Sequence, residues 1–372
     1  MARRQQTPLE IALSYIDRGW NPVPVPFRSK EPSGKAWQTR LIDKCTAPHF
    51  FNCGSMNIGI LLGPTSGGLT DIDLDCAEAI AIAPYLLPKT KAIFGRTTKR
   101  ASHWLYYTDL SATQDNAAVR LQAPDQMTLL EVRIGGDKGA QTIFPGSVHV
   151  SGEPILWDEA GKPADVDGDH LLSRVKHVAA ACLIARAWPP RGGRHDAARM
   201  VGGLLARAGW TEQRIKLAAE AIARAAVDEE WKDRVKAAED AAHEYHAGGR
   251  AYGLPKLIEI NGEKAAKRIA DWLDYDARSN HPHEEDSADN KGAVLQSVRA
   301  STVKMMAVDW IWPDRFAFRK LGLLVGLPDE GKGQVLSYIA ARDQRERQRV
   351  ALQRGFRPAR QCHPADGRGR SR

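Results

Sequence analysis

Three aspartates stand at alternate positions in the segment Gly67-Gly-Leu-Thr-Asp-Ile-Asp-Leu-Asp75: Asp71, Asp73 and Asp75, with Ile72 and Leu74 between them. Side chains alternate faces along a β-strand, so an extended chain here sends the three carboxylates to one side and the two apolar residues to the other. Like charges about 7 Å apart on one face repel each other unless a cation bridges them. An oxygen-only ligand set suits a hard divalent ion, Mg²⁺ or Mn²⁺. The plainer reading is a solvated edge strand, or a turn whose aspartates cap a helix. The short pattern alone leaves both readings open.

Further chemistry follows in order. Lys99-Arg100-Ala-Ser-His103 runs into an aromatic stretch ending at Tyr107, placing two cations and a histidine where a triphosphate could be gripped. Leu130-Glu-Val-Arg133 adds a carboxylate, Glu131, on an apolar run, and Gln141-Thr-Ile-Phe-Pro-Gly-Ser-Val-His149 contributes Ser147 and His149. Taken singly, a histidine is usually structural and a glutamate on a strand usually solvated. Near the C-terminus, Gly326-Leu-Pro-Asp-Glu-Gly-Lys-Gly333 fits the GxxxxGK pattern, in which backbone amides around Gly326 and Gly331 cradle phosphates and Lys332 reaches the terminal ones. Gly333 stands where a Ser or Thr would hold Mg²⁺, and no apolar strand ending in an acid follows. The segment therefore reads as an ATPase domain cut short. Cys45-x3-His49-x3-Cys53 lacks a fourth ligand for structural zinc and reads as buried thiols beside a surface histidine.

The elements that would position these residues divide the chain by composition. Residues 1–165 alternate short β-like runs (Asn57–Leu62, Leu69–Leu74, His103–Tyr107, Leu129–Ile134, Gln141–Phe144) with Gly/Pro turns, after an opening helix near Pro8–Arg18. Strands mixed with helices predict an α+β (α/β) domain. Residues 168–275 turn Ala-rich and helical, with Thr211 as an N-cap and Gly248-Gly249 as a stop signal. Residues 276–295 read as a linker holding His281 and His283, 296–340 as the start of a RecA-like P-loop unit, and 341–372 as a basic disordered tail. That tail carries ten arginines against three acids, so it supplies a net +7 of the chain's +8. The body is nearly neutral, and any basic groove must come from local clustering. Five cysteines in 372 residues exclude a disulfide framework, and the eight-residue apolar run Val178–Ala185 is far short of the ~20 residues of a membrane span. With no apolar leader after Met1, the expected location is cytoplasmic.

In the order DxD, then small-x-His, then Glu, residues 1–165 resemble the bifunctional primase/polymerase N-terminal domain of the archaeo-eukaryotic primase superfamily, found in phage and plasmid replication proteins. Gly19-Trp-Asn-Pro-Val-Pro-Val25, Lys30-Glu-Pro32 and Trp37 look like the family's opening. Asn57-Ile-Gly-Ile60 and Gly68–Asp75 resemble the strand into its first acidic motif, Ala101-Ser-His103 its small-x-His motif, and Glu131 with Phe144–His149 and Gly152 its third acidic motif and following loop. Gly146 departs from the second proline expected there. Counted from Gly68, the family's acidic pair falls on Asp73 and Asp75, leaving Asp71 as an additional acid.

The resemblance implies a nucleotidyl transferase that makes primers on single-stranded DNA from NTPs or dNTPs. Asp73, Asp75 and Glu131, with Asp71 beside them, would hold two Mg²⁺ or Mn²⁺ ions roughly 3.5–4 Å apart. His103, with Lys99 or Arg100, would grip the triphosphate, and Ser147 and His149 would line the pocket. The helical segment resembles a primase-associated domain, and replicative helicases or other replication proteins are the implied partners, with no membrane. Two other classes compete: a replication initiator or helicase whose N-terminal part only binds nucleic acid, and a two-metal nuclease. One outcome follows from the incomplete P-loop. ATP turnover in the presence of single-stranded DNA should stay at background, and Lys332→Ala should not change it; turnover abolished by that substitution would reveal a complete ATPase site.

Overall fold

The computed structural model describes residues 6–52, 54–136, 139–249, 252–275, 310–312 and 316–317. The P-loop residues Gly326, Gly331 and Lys332, the linker and the basic tail lie outside the described residues. The chain forms two compact units, residues 1–288 and 289–372.

In the first unit, strands β1 (Asn21–Pro26), β2 (Met56–Leu61), β3 (Leu69–Leu74), β4 (Ala92–Arg96), β5 (Lys99–Tyr107), β6 (Ala118–Gln122), β7 (Thr128–Arg133), β8 (Gln141–Ile143), β9 (Ile155–Ala160) and β10 (Ala164–Asp165) build two sheets. The larger runs β6-β7-β3-β5-β4-β9, all antiparallel, with β10 added parallel to β5; the smaller is β1-β2-β8. Helices α1 (Pro8–Ile16), α2 (Ala47–Phe50), α3 (Ala77–Leu86) and α4 (Leu110–Thr113) punctuate the strands. Then α5 (Gly168–Arg186), α6 (Arg194–Arg207), α7 (Glu212–Ala225), α8 (Trp231–His246), α9 (Leu254–Asn261) and α10 (Glu263–Trp272) follow as a helical layer. The mixture is α+β. In the second unit the described part is an antiparallel ribbon, β11 (Trp310–Trp312) with β12 (Phe316–Ala317). No helix among the described residues is long and apolar enough to cross a membrane.

Period-two patterning decides what each face of β3 meets. Ile72 and Leu74 turn to one face, where Trp104, Tyr106, Leu130 and Val132 join a core completed by Ile82 of α3 and Val175 and Val178 of α5. This core continues without a break through α6, α7 and α8, so the helical layer and the large sheet share one apolar interior. The opposite face faces the small sheet. There Leu69, Phe94 and Leu105 pack with Ile58, Ile60 and Phe144 in a second core. Further along the same face, Asp71 and Asp73 replace the apolar residues, and the space between the sheets turns from core into a charged cleft.

Two irregularities shape the cleft. Strand β1 carries Pro22, Pro24 and Pro26 and pairs only with β2. Prolines lack a donor, so they are tolerated where alternate residues face away from the partner strand. The outward carbonyls of Pro24 and Pro26 instead accept from Ser33 and Ser29, each at 3.0 Å, which folds the Ser29–Lys30 loop back toward the cleft. In β5, the five residues from Lys99 to His103 lie opposite only three of β4, Phe94 to Arg96. Ala101 absorbs this bulge at φ 52°, with its N–H bound to Asp158 at 2.9 Å. Left-handed backbone is free of cost only for glycine, so Ala101 is held there by the bulge and by its Asp158 contact rather than by its own preference.

The helical layer also holds a pH-sensitive group. His177 of α5 is buried edge-on to Trp210, with Arg214 donating to its Nδ1 at 3.3 Å. Burial first, and the Arg214 charge second, push its pKa down to about 3. The folded chain therefore refuses a proton that the unfolded chain takes up below its ordinary value near 6.5. Stability from this group is present above that value and is lost as pH falls, by about 2 kcal/mol between pH 7 and pH 5. Urea unfolding at the two pH values should show wild type losing that much more than His177→Gln; equal losses would mean that His177 titrates freely in the fold.

Candidate active site

Strand β3 lies between β5 and β7, and the register sets three acid–base side chains side by side. Asp73 is directly opposite His103 on β5 and Glu131 on β7; one step back, Asp71 is opposite Arg133. Directly opposed residues of antiparallel strands share a face and lie within reach of one another. Asp75 sits just past the strand, its N–H bound to the Leu129 carbonyl at 2.9 Å, which extends the ladder by one residue.

These groups hold one another in a dense network. Arg133 donates from Nη2 to Asp73 Oδ2 at 2.6 Å and from Nε to Glu131 Oε2 at 2.8 Å, with Nη1 3.3 Å from Thr142 Oγ1 and 3.8 Å from Asp71. Arg120 takes the other Glu131 oxygen at 2.7 Å. Lys99 Nζ stands 3.4 Å from Asp75 and 3.8 Å from Asp73. His103 Nδ1 lies 3.0 Å from Asp71 Oδ2, and Nε2 lies 3.7 Å from Asp73 Oδ1. That Asp73 oxygen is buried and, among the described residues, has no hydrogen-bond partner.

Burial and charge compete at each group. Burial opposes ionisation of Asp71, but the His103 charge and hydrogen bond, with Arg133 and Thr142, overcome it and hold the carboxyl below its usual range. Burial likewise works against a charged His103, and the Asp73 and Asp71 carboxylates outweigh it, so its pKa is raised. Asp75 is raised by burial and then by the Asp73 charge, with Lys99 offsetting only part. Arg133, wedged among carboxylates, is raised despite its own burial.

The cleft contains a cavity of about 240 Å³ lined by Asp73, Asp75, Lys99 and His103 on one sheet, with Lys30, Arg96, Arg133 and His149 also reaching it. Several residues singled out from sequence lie elsewhere. Asp71 is fully buried behind the cavity wall, both its oxygens taken by His103 and Oδ2 also by the Thr142 hydroxyl at 2.7 Å. Arg100 turns away to Asp158, with Nε 2.6 Å from Oδ1. Ser147 is buried and accepts from the Ile58 N–H at 2.9 Å, securing the loop rather than facing the cavity. His149 does line the cavity. Its Nδ1 lies 3.3 Å from Arg96 Nη1 and accepts from the Ser151 N–H, and its pKa is lowered by burial, then by Lys30 and Arg96.

Arg133 and Thr142 were not assigned a role from sequence, although Arg133 follows Glu131 by two residues, the spacing that returns a strand to the same face. Arg96 had no comparable signal. It enters through the β4–β5 hairpin.

The donor chemistry fits an oxygen-preferring divalent ion at Asp73 and Asp75, where one buried carboxylate oxygen is unpartnered among the described residues. Glu131 is different: both its oxygens are bound by arginines, and it is available only if Arg133 or Arg120 releases it. Accordingly, among the described residues no group of three or more His, Cys, Asp or Glu is arranged to hold a metal. Of the Cys45-x3-His49-x3-Cys53 spacing, Cys45 is exposed rather than buried, and Cys53 lies outside the described residues.

Residues 12–168 match the model of the family described as bifunctional DNA primase/polymerase, N-terminal. The matched segment contains both sheets and every cavity-lining residue, and it ends at the start of α5. The match suggests a primase/polymerase-type nucleotidyl transferase with DNA and nucleotide substrates, in a family that is generally metal-dependent. No curated protein matches the chain.

Asp75 gives this site a measurable signature. Its raised pKa means that ionising the carboxyl costs folding stability, so its contribution is present in acid and is lost as pH rises through the carboxylate range. With EDTA at neutral pH, Asp75→Asn should therefore melt above wild type, and the gap should close near pH 4. A lower melting temperature for the variant at neutral pH would show that the Lys99 pair outweighs burial and repulsion.

Proposed function

We propose that the cleft binds a nucleoside triphosphate and joins it to a primer strand on a single-stranded DNA template. The observation that carries this reading is the coexistence, at one cavity, of a carboxylate pair with a buried, unpartnered oxygen (among the described residues) and a set of cations: Lys30, Arg96, Lys99 and His103. A triphosphate needs both: acids to place a divalent ion and cations to take the remaining charge.

Asp73 and Asp75 would hold the ion, with Glu131 joining once Arg133 moves to another anion. When bound, Mg²⁺ or Mn²⁺ supplies activation of the attacking hydroxyl and charge neutralisation at the leaving pyrophosphate. The chain's own residues do the rest. Lys99 lies beside both aspartates and offers its ammonium to a phosphate oxygen that enters between them. His103 presents Nε2 beside Asp73, where it would donate to the triphosphate. Arg96 and His149, already joined to each other, and Lys30 on the opposite loop add donors for the remaining phosphate oxygens. Phosphate cations at both walls favour polymerisation over phosphodiester cleavage, which handles one phosphate at a time. The phage or plasmid replication setting belongs to the same proposal. So does the role of Ser147, which holds the His149 loop.

The test is incubation with single-stranded DNA, labelled NTPs or dNTPs and Mg²⁺ or Mn²⁺. Products longer than a dinucleotide are expected; a shortened template without new oligomers would mean a nuclease. Asp73→Ala, Asp75→Ala and Glu131→Ala should each bring incorporation to background in folded protein, and full activity of Glu131→Ala would remove that residue from the site. His103→Ala should raise the nucleotide KM by roughly 10-fold or more, the worth of a charge-assisted hydrogen bond, while leaving single-strand binding nearly unchanged. The reverse pattern would contradict its role.

A further inference from the structure

We propose that Asp71 is a positioning residue that fixes which atoms of the His103 ring face the nucleotide; this rests on the reading of the cleft as a nucleotide site. The plane of the imidazole is set by Phe94, which stacks on it at 4.6 Å between centroids with an interplanar angle of 8°. Stacking leaves one ambiguity. A half-turn about the Cβ–Cγ bond keeps the ring in the same plane against Phe94 but exchanges Nδ1 with Cδ2 and Nε2 with Cε1. It would turn a carbon toward Asp71 and displace Nε2 from its place beside Asp73.

Asp71 removes that ambiguity. Its two oxygens lie 3.2 and 3.0 Å from His103 Nδ1, so only the orientation with nitrogen on this side gains a hydrogen bond. The same contact settles the tautomer. A carboxylate accepts, and the Thr142 hydroxyl already donates to Oδ2 at 2.7 Å. Nδ1 therefore carries a proton and donates it to Asp71. The carboxylate is itself held rigidly: it is fully buried, bound to Thr142 on β8 and approached by Arg133 at 3.8 Å. It does not itself line the cavity; of the cavity-lining groups it touches, His103, Thr142 and Arg133, only the His103 ring has an orientation that the Asp71 contact decides. The additional acid of the alternating triplet thus has a use that differs from its neighbours'.

The experiment measures binding of a non-hydrolysable dNTP analogue with Mn²⁺, single-strand binding and melting temperature for wild type, Asp71→Ala, Asp71→Asn, His103→Ala and the double variant Asp71→Ala/His103→Ala. Asp71→Ala is expected to weaken nucleotide binding roughly 10-fold or more, the loss of a hydrogen bond to a charged group, with single-strand binding unchanged. The double variant should bind nucleotide no more weakly than His103→Ala alone, because the two residues act through one contact. Asp71→Asn keeps an acceptor for Nδ1–H and should recover most of the loss. Losses that multiply in the double variant, or normal nucleotide binding by Asp71→Ala beside weakened binding by His103→Ala, would overturn the proposal alone. Normal binding by His103→Ala would instead overturn the nucleotide role of that histidine, and this inference with it. Should Asp71→Ala fail to fold, imidazole ¹⁵N shifts of the wild type remain decisive: a protonated Nδ1 is expected, and a neutral His103 protonated only at Nε2 would overturn the assignment.

Discussion

A strand of the large sheet that turns two carboxylates toward the small sheet, with a third just past its end, is the constraint on which this molecule's architecture turns. Asp71 and Asp73 are buried, and a buried charge is tolerated only when it is paired and hydrogen-bonded. Every element around β3 contributes to that pairing. Strand β5 brings His103 and Lys99, β7 brings Arg133, and β8, from the other sheet, brings Thr142. Breaking one partner of such a network typically costs about 3–5 kcal/mol, which links the small sheet's docking to the acidic face. The network is also incomplete at one atom: among the described residues, the buried Asp73 Oδ1 has no hydrogen-bond partner.

The same strand explains why the helices are where they are. Alternation sends Ile72 and Leu74 to the face opposite the carboxylates, and only a continuous apolar cover satisfies them. Helices α3 and α5 provide it and carry α6, α7 and α8 with them into one core. The helical layer thereby stiffens the strand from behind while the cleft in front stays polar. The position of Asp75, at the end of β3 and immediately before α3, follows from this arrangement: it is the one carboxylate of the three that reaches solvent.

Much of this was legible in residue order. The period-two run Asp71–Asp75 gave the strand and the shared face, and the helix start after Thr211 and the helix stop before Gly248-Gly249 followed from capping signals. What stayed hidden depends on contacts between distant strands. Alternation treats Asp71, Asp73 and Asp75 as equivalents, but only the pairing of β3 with β5 and β7 distinguishes a buried Asp71 from an exposed Asp75. Arg100 and Lys99 look interchangeable in sequence. The bulge at Ala101 turns one toward Asp158 and the other toward the aspartates. The Asn21–Pro26 run is not among the β-like runs of the sequence, because its three prolines remove ladder donors; only its place at a sheet edge makes it a strand. The apparent break in composition near residue 168 coincides with no break in the core, because apolar faces on either side of it pack together.

The central claim is that the charged cleft between the sheets is where a nucleotide and its divalent ion bind. A crystal structure of the full chain with a non-hydrolysable dNTP analogue and Mn²⁺ tests this most directly, since Mn²⁺ is located by its anomalous signal. The account requires the ion on Asp73 and Asp75, the triphosphate against Lys99, Arg96 and His103, and Arg133 moved off at least one of its carboxylates. A triphosphate bound elsewhere, with Arg133 still bridging Asp73 and Glu131, would contradict it.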